Sequence, residues 1–219
     1  MDARPRTAIV IAGGDPVDPT VRGRLPRPAD VDLVIGADSG LDRAIELGLV
    51  VDLVVGDFDS ADPEAVEVAA RRGTRIERHP QEKDAIDLEL AIDAARRAGA
   101  RRVVVIGGAG GRLDMLAANL LLLAAPRFAD LVIEAVLGRA RVFVVRDELT
   151  FEGRPGDRLS LLPVNGPAVG VVTEGLRYPL DREDLPAGTS RGCSNELLAD
   201  RAWVALEEGT LLCVLPGSD

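Results

Sequence analysis

Short runs rich in β-branched residues recur through the first two-thirds of this chain, at Thr7 to Ala12, Val31 to Ile35, Leu53 to Val55, Arg75 to Glu77, Val103 to Ile106 and Leu131 to Val136, and taken together they are apolar at nearly every position. A strand with one wet face alternates apolar and polar residues, so runs without alternation predict strands buried on both faces, the condition of a parallel sheet. Helical segments lie between them: Gly40 to Leu47, Pro63 to Arg72, Asp84 to Ala98 and Leu116 to Ala124. Their ends are punctuated as helix ends should be, by Ser60 ahead of the second, Pro63 in its first turn, and Gly48, Gly73 and Gly99 after three of them. The expected class is α/β, a mostly parallel sheet with helices on both faces.

After about Asp147 the texture changes to short strands separated by Gly and Pro: Glu148 to Phe151, Arg158 to Pro163, Val169 to Thr173, Ala202 to Leu206 and Thr210 to Leu215. Glu207-Glu208-Gly209 reads as a hairpin turn between the last two. The expected organisation is therefore an α/β domain over 1–147 and a smaller all-β domain over 148–219.

A chain of 219 residues can bury cores of this size without covalent staples. Only Cys193 and Cys213 are present, too few for a disulfide framework and not spaced as a zinc site, so reduced thiols are expected. No stretch approaches the roughly 20 apolar residues of a membrane span. Met1-Asp2-Ala3-Arg4-Pro5-Arg6 runs straight into a strand without the apolar region of a secretory signal, and a cytoplasmic location is expected. A net charge of −10 argues against a large nucleic-acid surface, which needs an excess of Lys and Arg. It is compatible with a nucleotide whose phosphates arrive with Mg²⁺ held by carboxylates.

Acidic or glycine-rich segments follow several of the predicted strands: Gly36-Ala37-Asp38-Ser39-Gly40, Gly56-Asp57-Phe58-Asp59-Ser60, Lys83-Asp84-Ala85-Ile86-Asp87-Leu88-Glu89 and Gly107-Gly108-Ala109-Gly110-Gly111-Arg112-Leu113-Asp114. Open α/β sheets bind ligands at the carboxyl ends of their strands, so this placement matters as much as the residue types. Asp57 and Asp59, two apart on an extended strand end, would face one side and share a hard cation. The alternative is that one or both cap the helix that begins near Ser60. Asp84 and Asp87, three apart, would share a face of a first helical turn beside Lys83, a placement the helix dipole alone also favours. The run Gly107 to Gly111 can bring backbone N–H groups close to phosphate at a helix N-terminus, with Arg112 as a fixed positive fork, although it is neither a Walker pattern nor a dinucleotide fingerprint. His79, the only histidine, is expected on a surface loop, which leaves carboxylates as the candidate general bases. Cys193 has no histidine partner in view and is read as incidental.

In this order the segments resemble thiamine pyrophosphokinases. Thr-Glu-Gly-Leu-Arg-Tyr-Pro-Leu at 173–180 and Ser-Asn-Glu at 194–196 extend the likeness, so it runs from Gly36 to Glu196. The resemblance implies an N-terminal catalytic, nucleotide-binding domain, a C-terminal β-sandwich that helps bind thiamine, and a homodimer with active sites between subunits. It implies transfer of the terminal pyrophosphoryl group of ATP to the thiamine hydroxyl, giving thiamine diphosphate and AMP. Carried over motif by motif, Asp57, Asp59 and Asp87 would hold Mg²⁺, and Asp38, Arg112 and Asp114 would complete the catalytic set. Lys83, Asp84, Gly108, Gly110, Gly111 and Arg112 would bind ATP, and Tyr178, Ser194 and Asn195 would contact thiamine. Such a transfer needs positioning and charge neutralisation more than covalent help, which a metal, Arg112 and glycine amides can supply.

The sequence departs from the family pattern at Ser39, where Gly is usual, at Ile86, where Thr is common, and at Met115, where His often stands. Ile86 removes a hydroxyl that could bond substrate or phosphate. Two alternatives stay open: a pyrophosphokinase for another hydroxymethyl heterocycle such as a pterin, which would reuse the same metal site, and a non-catalytic thiamine or nucleotide sensor.

Overall fold

The structure is a computed structural model and describes residues 6–110 and 112–217. The chain divides into two compact units, one formed by the residues up to Leu122 with Asp130–Gly138, the other by Leu123–Ala129 with the residues from Arg139 onward.

In the first unit strands and helices alternate: β1 (Thr7–Ala12), β2 (Leu33–Ala37), α1 (Gly40–Leu47), β3 (Leu53–Gly56), α2 (Pro63–Arg71), β4 (Arg75–Arg78), α3 (Asp87–Arg97), β5 (Arg102–Ile106), α4 (Leu113–Leu123) and β6 (Val132–Leu137). The strands lie in the order β6-β5-β1-β2-β3-β4, every neighbouring pair parallel. β1 and β3 are buried along their whole length, as their lack of alternation predicts. β4 alone shows an exposed edge pattern, and its sequence Arg-Ile-Glu-Arg is the polar one.

Chain order reverses between β1 and β5, because β1 is followed on one side by β2, β3 and β4 and on the other by β5 and β6. A crevice opens at such a switch, since the loops leaving the two central strands turn to opposite faces of the sheet. The core beneath it includes Ile9, Ile11, Leu41, Ala44, Val54, Val104 and Ile106.

Two helix starts differ from the sequence expectation. α3 begins at Asp87, not Asp84, because Ile86 takes an extended backbone (φ −74°, ψ 157°), so Asp84 and Asp87 do not share a helical turn. α4 begins earlier, at Leu113. α2 is capped by Asp62, whose side chain accepts from the Glu64 N–H at 3.0 Å.

The second unit holds β7 (Ala140–Val145), β8 (Glu148–Glu152), β9 (Arg158–Pro163), β10 (Ala168–Glu174), β11 (Glu183–Leu185), β12 (Asn195–Glu196), β13 (Arg201–Ala205) and β14 (Leu211–Leu215). Its antiparallel pairing runs β12-β9-β14-β7 in one sheet and β11-β10-β13-β8 in the other. Phe143, Leu159, Leu161 and Cys213 of the first and Phe151, Val171, Val204 and Leu185 of the second belong to one buried cluster, so the sheets face each other as a sandwich. The hairpin expected at Glu207-Glu208-Gly209 does not form. β13 pairs with β8 and β10, and β14 pairs with β7 and β9, so those residues carry the chain from one sheet to the other. No helix among the described residues is long and apolar enough to cross a membrane.

Candidate active site

A cleft of about 620 Å³ lies in the first unit, lined by loop residues that leave β1, β2, β3 and β5 and by the start of α3. From β2 comes Asp38, in a left-handed backbone (φ 48°) that Asp tolerates better than most residues. From β3 come Asp57 and Asp59. They do reach the same side, though by a different route from the one expected: Phe58 between them is left-handed (φ 65°), so the chain turns instead of continuing as a strand. A bulky residue in that region stores strain, held here by Phe58 packing on the core and under the Arg78 guanidinium, 4.7 Å from its ring centroid. Gly56 just before the turn has no room for a side chain without pressing on Asp38, whose Cα would lie 3.1 Å from an added Cβ.

Carboxylate oxygens of Asp38, Asp57 and Asp59 lie within 4.8 Å of one another. None of them caps a helix, because Asp62 does that for α2, and the capping alternative for Asp57 and Asp59 is removed. Asp38 is buried, and its Oδ1 has no hydrogen-bond partner. Burial first, then the charges of Asp87, Asp59 and Asp57, push its carboxyl above the usual range, against the opposing effect of the Ser39 backbone N–H. A buried, unpartnered carboxylate oxygen facing other carboxylates is unfavourable alone and favourable around a hard divalent cation. The residues fit Mg²⁺.

Lys83 reaches into the same group. Its Nζ donates to Asp57 Oδ2 at 2.6 Å and lies 2.9 Å from Asp87 Oδ1, an ion pair whose angle falls outside a hydrogen bond. The Lys83 hydrogen bond holds the Asp57 carboxyl below its ordinary value. Burial works to lower the Lys83 ammonium, but Asp57 and Asp87 outweigh it and hold it above its ordinary value. Of the metal set expected from sequence, Asp57 and Asp59 thus stand with Asp38, while Asp87 also lines the cleft but is engaged by Lys83. Asp84 is exposed and is not among the lining residues.

Gly108, Gly110 and Arg112 line the cleft; Gly111 lies outside the described residues. The amides of this run are not all free. Gly108 N–H donates to Gly13 O at 2.7 Å and Gly107 N–H to Val136 O at 3.1 Å. The glycines are needed for the fold of the turn: Gly110 (φ +106°) leaves no space for a side chain beside the Asp15 carboxylate. Arg112 is exposed and forks onto Asp114, Nη2 to Oδ2 at 2.6 Å and Nε to Oδ1 at 3.1 Å. That bond holds the Asp114 carboxyl down and the guanidinium up.

Sequence reading overlooked Gly13, Gly14 and Asp15 after β1, and Asn119 on α4, all of which line the cleft. Asp15 N–H donates to Ala109 O at 2.9 Å, and the buried Asn119 Nδ2 donates to Gly108 O at 2.9 Å, so these residues fasten the β1 and β5 turns together. The signal available was topological: a glycine pair directly after the strand at a sheet's switch point.

The expected acceptor residues lie in the second unit. Tyr178 is 54% exposed. Asn195 is buried; its Oδ1 accepts from Tyr178 N–H at 3.0 Å and from Glu196 N–H at 2.9 Å, and its Nδ2 donates to Tyr178 O at 2.7 Å. Ser194 is exposed and left-handed (φ 55°), with its N–H donating to Ser160 Oγ at 3.1 Å. His79, expected on a free loop, is partly buried with Nε2 3.1 Å from Glu77 Oε1.

A parallel sheet with an acid-lined cleft at its switch point, joined in one chain to an antiparallel sandwich, defines a class of two-module proteins with a site suited to a cation and an anionic ligand. The model of the thiamin pyrophosphokinase catalytic domain matches residues 29–135, and that of the thiamin pyrophosphokinase vitamin B1 binding domain matches residues 147–211. Thiamine pyrophosphokinase of Bacillus subtilis is 25% identical over 184 residues, covering 83% of this chain and 86% of the relative. The crystal structure of thiamine pyrophosphokinase from Bacillus subtilis superposes with a TM-score of 0.84 at 23% identity, covering 98% of this chain and 100% of that one. The thiamin pyrophosphokinase of Geobacillus thermodenitrificans gives 0.79 at 29% identity, covering 97% and 98%. The chain belongs to the thiamine pyrophosphokinase family.

Proposed function

We propose that this chain transfers the terminal pyrophosphoryl group of ATP to the hydroxyl of thiamine, releasing AMP and thiamine diphosphate. The observation that carries the reading is the convergence of Asp38, Asp57 and Asp59 in a cleft at the switch point, in a chain whose two parts match the catalytic and the vitamin B1 binding domains of one family.

In this reaction the thiamine oxygen bonds to the β-phosphorus while the bridge between the α and β phosphorus atoms breaks. The bridging oxygen leaves with AMP, and a carboxylate of the cleft takes the hydroxyl proton. Asp57 and Asp59, with Asp38 and Asp87 at hand, would hold Mg²⁺, which would supply charge neutralisation on the phosphates. Arg112, exposed on the cleft edge and paired with an exposed Asp114, can exchange that solvent-screened partner for phosphate oxygens at little cost. The Tyr178 ring offers a face for the cationic thiazolium. A homodimer belongs to the same reading.

The test is turnover of the purified chain with ATP and Mg²⁺. Thiamine diphosphate from thiamine supports the proposal. Turnover with a hydroxymethylpterin in place of thiamine, or tight thiamine binding without AMP release, would overturn it.

A further inference from the structure

Lys83 is the only lysine in the chain; every other basic side chain counted among its 26 Lys and Arg residues is arginine. That one ammonium sits where the acidic side chains of the cleft meet. Its side chain is only 14% exposed, against 12% for Asp57 and 27% for Asp87. It lies 2.6 Å from one carboxylate and 2.9 Å from the other. An arginine would bring a broad planar fork suited to pairing with one carboxylate in two places; an ammonium is a compact point charge that can sit between two. Lys83 thus sits between Asp57 and Asp87 and shares Asp57 with the Asp38, Asp57 and Asp59 group that would hold a cation.

We propose that the Lys83 ammonium is a stand-in cation, which holds Asp57 and Asp87 together in the metal-free protein, keeps a divalent metal from binding alone, and leaves them when metal and nucleotide arrive together. The proposal rests on the metal reading given above. A divalent ion coordinated by Asp57 would approach its carboxylate to about 2.1 Å, and with Lys83 Nζ 2.6 Å from Oδ2 of that same carboxylate the two cations would stand close enough to repel each other. Metal alone therefore competes with a charge tethered to the site. A polyphosphate changes the balance, because it brings negative charge to which the flexible lysine stem can redirect its head. The longer half of the bridge, the 2.9 Å pair with Asp87, is the side from which it would be released. Asp38 keeps a buried Oδ1 without a hydrogen-bond partner beside this bridge, so the stand-in holds part of the site without replacing the metal.

The experiment is a titration of Mn²⁺ into the nucleotide-free full chain, with free Mn²⁺ read by electron paramagnetic resonance. Lys83→Met should bind Mn²⁺ at least ~10-fold more tightly than the wild type, and Lys83→Arg, which keeps the charge, should not. Equal or weaker binding by Lys83→Met overturns the proposal. A second measurement needs no substitution: with ¹⁵N-lysine incorporated, the side-chain ammonium signal belongs to Lys83 alone. It should be unchanged by Mg²⁺ and shift when Mg²⁺ is added with a non-hydrolysable ATP analogue; no shift with both present overturns the displacement. Failure of the metal reading looks different. If Asp57→Asn leaves Mn²⁺ binding to Lys83→Met intact, the metal lies elsewhere, whatever Lys83 does.

Discussion

The side-chain amide of Asn195 brackets the backbone of Tyr178, accepting from its N–H and donating to its carbonyl. Sequence reading gave Asn195 to the thiamine ring directly; the structure engages most of its hydrogen-bonding capacity in fixing the exposed Tyr178. Removing the amide leaves the part-buried N–H and carbonyl of Tyr178 without these partners, at up to about 1–3 kcal/mol each, and frees Tyr178 to move. Tyr178→Ala and Asn195→Ala are each expected to raise the thiamine KM by roughly 2- to 30-fold, the factor matching a cation–π contact of about 0.5–2 kcal/mol, with little change in the ATP KM. The double variant should be scarcely worse than Tyr178→Ala alone, because one residue acts through the other. Steady-state kinetics on the four proteins checks this; a wild-type thiamine KM in Asn195→Ala contradicts it.

Asp57→Asn and Asp59→Asn are each expected to lower AMP formation by ~100-fold or more, since each removes a metal charge. Circular dichroism should stay unchanged, because neither residue caps α2. Asp62→Ala is the contrast: it deletes the cap, costs about 1 kcal/mol of stability, and should leave transfer near wild type. Near-normal activity of both Asn variants at saturating Mg²⁺ would remove the metal assignment.

How much of this was legible in the sequence depended on whether the information was local. The buried parallel strands were, because Ala-Ile-Val-Ile-Ala at 8–12 and Val-Val-Val-Ile at 103–106 have no polar face to offer water. The acidic segments were legible too, as they follow those strands. The start of α3 was not: the run from Asp84 to Asp87, just after Lys83, looks like a first turn by composition, but Ile86 stays extended and Lys83 turns back to Asp57, 26 positions away. The turn at Glu207 to Gly209 had hairpin chemistry, and nothing local says that its two strands belong to different sheets. Gly13-Gly14 gained meaning only once β1 was seen at the switch point. β12, at Asn195–Glu196, is too short to carry any pattern.

Asp38 should make stability depend on pH in a defined direction. Its folded carboxyl is raised above the ordinary value of 3.8, so its favourable contribution is present below 3.8 and is lost as pH rises through the higher folded value. At neutral pH the ionised group therefore weakens the metal-free fold. Asp38→Asn is expected to raise Tm at pH 7, with the difference closing as pH falls towards 3.8. Thermal unfolding of both proteins over that range checks the sign, and a lower Tm for Asp38→Asn at pH 7 contradicts it.

The two cysteines should separate cleanly. Cys193 is exposed, whereas Cys213 is buried between sheets and burial pushes its thiol up to about 12. Cys193 alone should react with a thiol reagent in the native protein at pH 8, and Cys213 only after denaturation. Rapid reaction of both in the folded protein would show that the β14 core opens easily.

The central claim, attack on the β-phosphorus of ATP by thiamine, is tested most directly with ATP labelled separately at its α, β and γ phosphorus atoms. Incubation of the purified chain with Mg²⁺ and thiamine should carry the β and γ labels together into thiamine diphosphate and leave the α label in AMP, in equal amounts. Transfer of the γ label alone with formation of ADP, or of no label at all, would contradict it.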